Sequence, residues 1–140
     1  MKQKIKKRLV MTYVAAIMVI SLFFAYVTKV SASSSGSVTY GTWSGTHSIS
    51  NQTYSISGSL NINRSSLGLS IKGRVEGVGT SSIHGIVGTY NSGNVGNNGN
   101  NLTASGSIGN LPYTANGSAG TAYCISNSGS ETLVSTLTDP

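Results

Sequence analysis

Apolar and polar residues alternate with a period of two over much of the chain. In the clearest stretch, Tyr54, Ile56, Gly58, Leu60 and Ile62 fall on one side and Ser55, Ser57, Ser59, Asn61 and Asn63 on the other. This is the pattern of a half-buried strand with a wet outer face. The next stretch repeats it, with Leu67, Leu69, Ile71, Gly73 and Val75 inward and Ser70, Lys72, Arg74 and Glu76 outward. Asn63-Arg64-Ser65-Ser66 joins the two, which predicts a hairpin. Further strands are expected over 38–49, 82–90, 101–109, 111–116, 120–126 and 132–137. Those after residue 80 carry apolar residues on both faces, as Ile83, Ile86 and Val87 do. Residues 91–101, rich in Asn and Gly, read as a mobile loop.

Past the first 32 residues no stretch places apolar residues at helical spacing with good helix formers between them. The expected fold is therefore all-β: a small, antiparallel, strongly curved sheet closed as a compact barrel or tight sandwich, over residues 38–140. Gly58, Gly73 and Gly106 fall on apolar faces, where a missing side chain lets the sheet bend or another ring approach. Residues 33–37, Ser-Ser-Ser-Gly-Ser, read as a flexible lead-in.

Residues 1–32 follow a different rule. Lys2, Lys4, Lys6, Lys7 and Arg8 precede an apolar run from Leu9 to Val27, and Val30-Ser31-Ala32 closes it with small residues. This predicts a hydrophobic signal helix with cleavage between Ala32 and Ser33. The lysine-rich start resembles export signals of Gram-positive bacteria, which implies a secreted protein. The alternative is an uncleaved anchor with the domain outside, because 19 helical residues rising ~1.5 Å each nearly span a ~30 Å hydrocarbon core.

That division changes the meaning of the charge. The whole chain carries +6, but six of its nine cations lie in the leader. In the exported part Arg64, Lys72 and Arg74 stand against Glu76, Glu131 and Asp139, three against three. A neutral body cannot displace the counterions of a polyanion, so nucleic acid is excluded as a partner. Cys124 is the only cysteine, which excludes an intrachain disulfide; it reads as a small buried hydrophobe, with an intermolecular bridge or reactive thiol as the alternative.

Acid–base groups are scarce. His84 and Glu76 with a serine can be written as a triad, but no Gly-x-Ser-x-Gly elbow is present. Two distant histidines and one cysteine lack metal-ligand spacing. No catalytic residue, metal or cofactor is expected. Lys72, Arg74 and Glu76 form a candidate surface patch, alternatively a solvated strand face. Trp43, with Tyr40 and His47 nearby, forms a candidate ligand-binding group, alternatively core. The Gly41-Thr42-Trp43 sequence resembles the opening of lipocalin- and avidin-type barrels, which implies a ring closing one barrel end.

The sequence thus points to a non-enzymatic exported β-protein that works by binding or self-association at the bacterial cell surface. Its expected partners are a cell-wall polymer, the membrane or itself. A secreted bacteriocin or pore-forming toxin built on amphipathic hairpins is the second reading, and a small hydrophobic-ligand barrel the third.

Overall fold

A computed structural model describes residues 32–139, so the expected signal helix lies outside the described residues. The regular structure within them is β throughout: β1 (Ala32–Tyr40), β2 (Trp43–Gln52), β3 (Ser55–Asn63), β4 (Lys72–Ser81), β5 (Gly85–Asn91), β6 (Val95–Gly96), β7 (Asn101–Ile108), β8 (Gly117–Ile125) and β9 (Glu131–Asp139). They make two antiparallel sheets. The first runs β1-β2-β3-β7; the second runs β5-β4-β8-β9, with β6 also pairing β4.

The barrel expectation is not met, because no ladder joins β1 to β9 or β7 to β5 among the described residues. Both edge strands of the second sheet carry register shifts, at Gly79/Thr80 opposite β5 and at Ala122/Tyr123 opposite β9. Such bulges twist an edge away from a continuing ladder. The edges still shelter one another, since β1 packs beside β9 and β5 beside β7.

Several elements differ from the sequence reading. The expected strand 38–49 is two strands, turned at Gly41, whose φ of +57° suits a glycine, so that Tyr40 pairs Trp43. Residues 33–37 are not a loose lead-in but part of β1, laddered to residues 46–50 of β2. The β3–β4 hairpin does not form: β3 pairs β2 and β7, and residues 64–71 carry the chain to the other sheet. Arg64 holds that crossover by donating from Nη1 to the Leu69 carbonyl at 2.8 Å. Leu67 and Leu69, expected inward, are 89% and 78% exposed as a result. Residues 111–116 form a loop instead of a strand, tied by Leu111 N–H to Tyr54 O and Ala115 N–H to Thr53 O, both at 3.1 Å. The Asn/Gly stretch is held to the β-structure by β6 and by the paired bonds of Ile71 and Asn97.

The core lies between the sheets. Leu60, Ile62, Leu102 and Ala104 from the first sheet meet Val75, Ala122 and Cys124 from the second. At its centre the ring of Tyr90 fills the space that side chains would need at Gly58, Gly77, Gly106 and Gly120. A Cβ added at any of the four would come within 3.0 Å of the ring or its hydroxyl. The sheets can therefore close around one large ring only because four facing positions carry none.

Strand directions define two ends. At one lie the start of β1, the β2–β3 turn with Tyr54, the β4–β5 turn, the 109–116 loop and the last residues of β9. At the other lie the β1–β2 turn beside Trp43, the 64–71 crossover and the β8–β9 turn.

Candidate functional site

The outward face of the first sheet is built by the alternation of β1, β2, β3 and β7. Register aligns its residues into four rows across the strands: Thr39-Ser44-Asn63-Asn101, Ser37-Thr46-Asn61-Thr103, Ser35-Ser48-Ser59-Ser105 and Ser33-Ser50-Ser57-Ser107. Every position carries a hydroxyl or an amide, and none carries a charge or a large apolar group. Neighbours stand about 4.8 Å apart across strands and about 6.7 Å apart along them, as a pleated sheet requires. The result is a two-dimensional lattice of donors and acceptors.

Part of the lattice is already ordered. The Ser48 and Ser59 hydroxyls share a hydrogen bond of 2.9 Å, and Asn61 Nδ2 donates to Ser59 at 3.3 Å. Between its last two rows Ser48, Ser50, Ser57, Ser59, Ser105 and Ser107 rim a shallow depression over the Ile49, Gly58 and Gly106 backbone. The depression offers hydroxyls with no imidazole or carboxylate beside them, so it can exchange hydrogen bonds but has no base on its own face to activate a nucleophile.

The residues singled out from the sequence lie elsewhere. Trp43 and His47 point into the core at 3% and 0% exposure, and Tyr40 is half-buried against it. Trp43 opens the second strand, not the first, and its outer side is covered by the Arg64 guanidinium, 4.5 Å above the ring. His47 Nδ1 shares a 2.9 Å hydrogen bond with the Ser135 hydroxyl, while Nε2 has no partner among the described residues. Burial holds this imidazole below its ordinary pKa. These three residues belong to the interior, so any ligand reaching them must enter between the sheets.

Lys72, Arg74 and Glu76 do alternate on the outer face of the second sheet. Arg74 Nη2 donates to Glu131 Oε1 at 2.6 Å, its Nε stands 2.7 Å from Glu76 Oε1, and its guanidinium lies 4.7 Å over Tyr123. Asn91 also donates to Glu76, at 2.9 Å. The Glu131 hydrogen bond is the largest cause raising the Arg74 pKa. The patch is thus largely self-neutralised. Its fourth member, Glu131, comes from a distant strand that spacing could not reveal.

His84 stacks on Tyr113 at a centroid distance of 3.7 Å in the end loops, while Glu76 is engaged in the sheet, so the paper triad is not assembled. Cys124 is fully buried, and desolvation pushes its thiol up to about 11. Ala32 and Ser33, the expected cleavage pair, are laddered to Asn51 and Ser50. A protease cutting between them needs that strand released, so cleavage would precede pairing of β1.

A further polar group sits inside, toward the Tyr54 end. Asn51 and Ser118 are buried on facing sheets, Ser118 pairs Asp139 in register, and all three carry buried side-chain atoms without partners among the described residues. Buried polar groups of this kind are commonly completed by ordered water. Neither this cluster nor the serine lattice was visible from the sequence, since both depend on register between strands.

No known protein family, curated protein or solved structure matches this chain.

Proposed function

We propose that this is an exported, non-enzymatic β-domain that works at the bacterial cell surface by binding a neutral, hydroxyl-rich wall polymer through the first sheet. The observation that carries the reading is the uncharged four-by-four lattice of Ser, Thr and Asn. A single hydrogen bond exchanged with water contributes only about 1 kcal/mol net, so isolated hydroxyls make poor sites. A rigid, repeating array meeting a repeating polymer sums many such contacts while losing rigid-body freedom once. Lack of charge matches a neutral glycan and offers nothing to a polyanion. On this reading the face is the site, and Trp43, Tyr40 and His47 maintain the scaffold behind it.

Co-sedimentation with insoluble wall glycan tests the proposal. Wild-type protein is expected in the pellet, and Ser59→Asp with Ser105→Asp, which plants two charges in the middle of the lattice, is expected in the supernatant. Equal pelleting of both proteins, or wild type remaining in solution as a monodisperse monomer, refutes it. The same variant also reads self-association. If the face pairs with a second copy instead of a glycan, wild type sediments as a dimer without any polymer and the variant as a monomer.

A further inference from the structure

Four of the seven large hydrophobic side chains left exposed among the described residues cluster at the Tyr54 end: Tyr54, Ile83, Ile86 and Tyr113, at 55%, 84%, 68% and 48% exposure. They come from three separate segments that the fold draws together. Leu111 and Ala115 tie the 109–116 loop to the β2–β3 turn, and Asn116 N–H to Thr80 O, with the His84–Tyr113 stack, ties it to the β4–β5 turn. Arg64, Lys72, Arg74, Glu76 and Glu131 all lie elsewhere in the domain, and Asp139 is the one charged side chain described near this end. Exposed isoleucines and tyrosines set among uncharged Ser, Thr, Asn and Gln, with His84 stacked on Tyr113, suit a membrane–water interface, where amphipathic rings settle at headgroup level.

The chain itself names the occupant. β1 begins with Ala32 at this same end, since Ala32 pairs Asn51 just before the β2–β3 turn. Only four residues, Thr28 to Ser31, separate Ala32 from the apolar run ending at Val27. Fully extended, five peptide steps cover at most about 18 Å. A run of 19 residues placed across a ~30 Å hydrocarbon core would therefore hold this end, and not the Trp43 end, at the headgroup layer.

We propose that the Tyr54 end of the sandwich is a membrane-docking tip, seated on the outer lipid surface of the bilayer that the chain's own N-terminal run enters. The inference rests on the surface location proposed above and takes the uncleaved form of the leader. Tethering supplies the local concentration, so the tip needs only weak affinity of its own. Docked in this way, the strands stand upright on the membrane and the serine lattice faces sideways into the wall.

Full-length chain reconstituted in vesicles of phosphatidylcholine and phosphatidylglycerol provides the test. An environment-sensitive thiol dye is placed at Ile83→Cys or, as a control at the opposite end, at Leu67→Cys. Buried Cys124 leaves the introduced thiol as the reactive one. The dye at position 83 is expected to shift to the blue and to be quenched by bromolipids at least ~2-fold more than the dye at 67, reflecting its place at the interface. Replacing Tyr54 and Ile86 with Ser should return the position-83 dye toward its aqueous spectrum. Equal spectra and equal quenching at 83 and 67 overturn the tip. Glycan pelleting by the same vesicles reads the lattice separately, so failure of one proposal is distinguishable from failure of the other.

Discussion

The hydroxyl and ring of Tyr90 occupy the space where a side chain at Gly58 would stand. Tyr90 belongs to β5 in one sheet and Gly58 to β3 in the other, so the contact fixes the distance between layers at mid-domain. Gly58→Ala must move either the ring or β3. The ring is confined on its other sides by Gly77, Gly106 and Gly120, so it has nowhere to go. Overpacking a tight core costs 1–3 kcal/mol, and the upper end, ~3 kcal/mol, is expected here. For a domain of this size that lowers Tm by on the order of 15 °C in a thermal melt.

Removing the Tyr90 hydroxyl should act in the opposite direction. The group is buried without a partner among the described residues, and burial pushes its pKa up to about 12. Tyr90→Phe keeps the ring and deletes an unpaid desolvation cost. The urea midpoint is expected to hold or to rise by the equivalent of up to about 1 kcal/mol. A loss of stability would instead place an ordered water on that hydroxyl.

How much of this was legible beforehand depended on range. Period two in β3 and in β4 from Lys72 read correctly, because alternation is a local property of a half-buried strand. Gly58, Gly73 and Gly106 do lie on apolar faces, with Tyr90 or Leu102 pressed against each. Pairing was not legible. The 64–66 segment has turn chemistry, yet the side chain of Arg64 is spent on the Leu69 carbonyl and the Trp43 ring, which sends the chain across to the second sheet. The break at Gly41-Thr42 does shift the phase, from even-numbered Val38 and Tyr40 inward before it to odd-numbered Trp43, His47 and Ile49 after it, but only two large inward residues precede the turn, too few to make the shift stand out. The serine lattice needed register between β1, β2, β3 and β7, and Glu131 reaches Arg74 over 57 residues of sequence. No window of local sequence contains either relation.

Arg64 makes the sole tryptophan a reporter of the Trp43 end. Its guanidinium lies 4.5 Å over the ring, and its Nη1 and Nε donate to Leu69 O and Asn100 Oδ1 at 2.8 and 3.3 Å. Arg64→Ala removes the lid and releases the crossover together. Trp43 emission is expected to move to the red, with acrylamide quenching increased, and stability to fall by about 1–3 kcal/mol as the Leu69 carbonyl and the ring lose their partner. Arg64→Lys should recover part of the stability but not the planar cover. Unchanged emission in both variants would show that the ring is sealed by other groups.

His47 gives the fold a pH dependence whose sign follows from burial. Its pKa is lowered in the folded state, so between that value and the unfolded ~6.5 the unfolded chain binds more protons. Stability is therefore complete above about pH 6.5 and declines as pH falls below it. The loss deepens with falling pH until the folded imidazole itself takes up the proton. Urea midpoints at pH 7.5 and 5.5 measure it, a window that stays above ordinary carboxylate titration. His47→Gln cannot titrate and should flatten the difference between the two midpoints, whatever its own stability. If that difference persists in the variant, the proton is taken up elsewhere and His47 is not the group responsible.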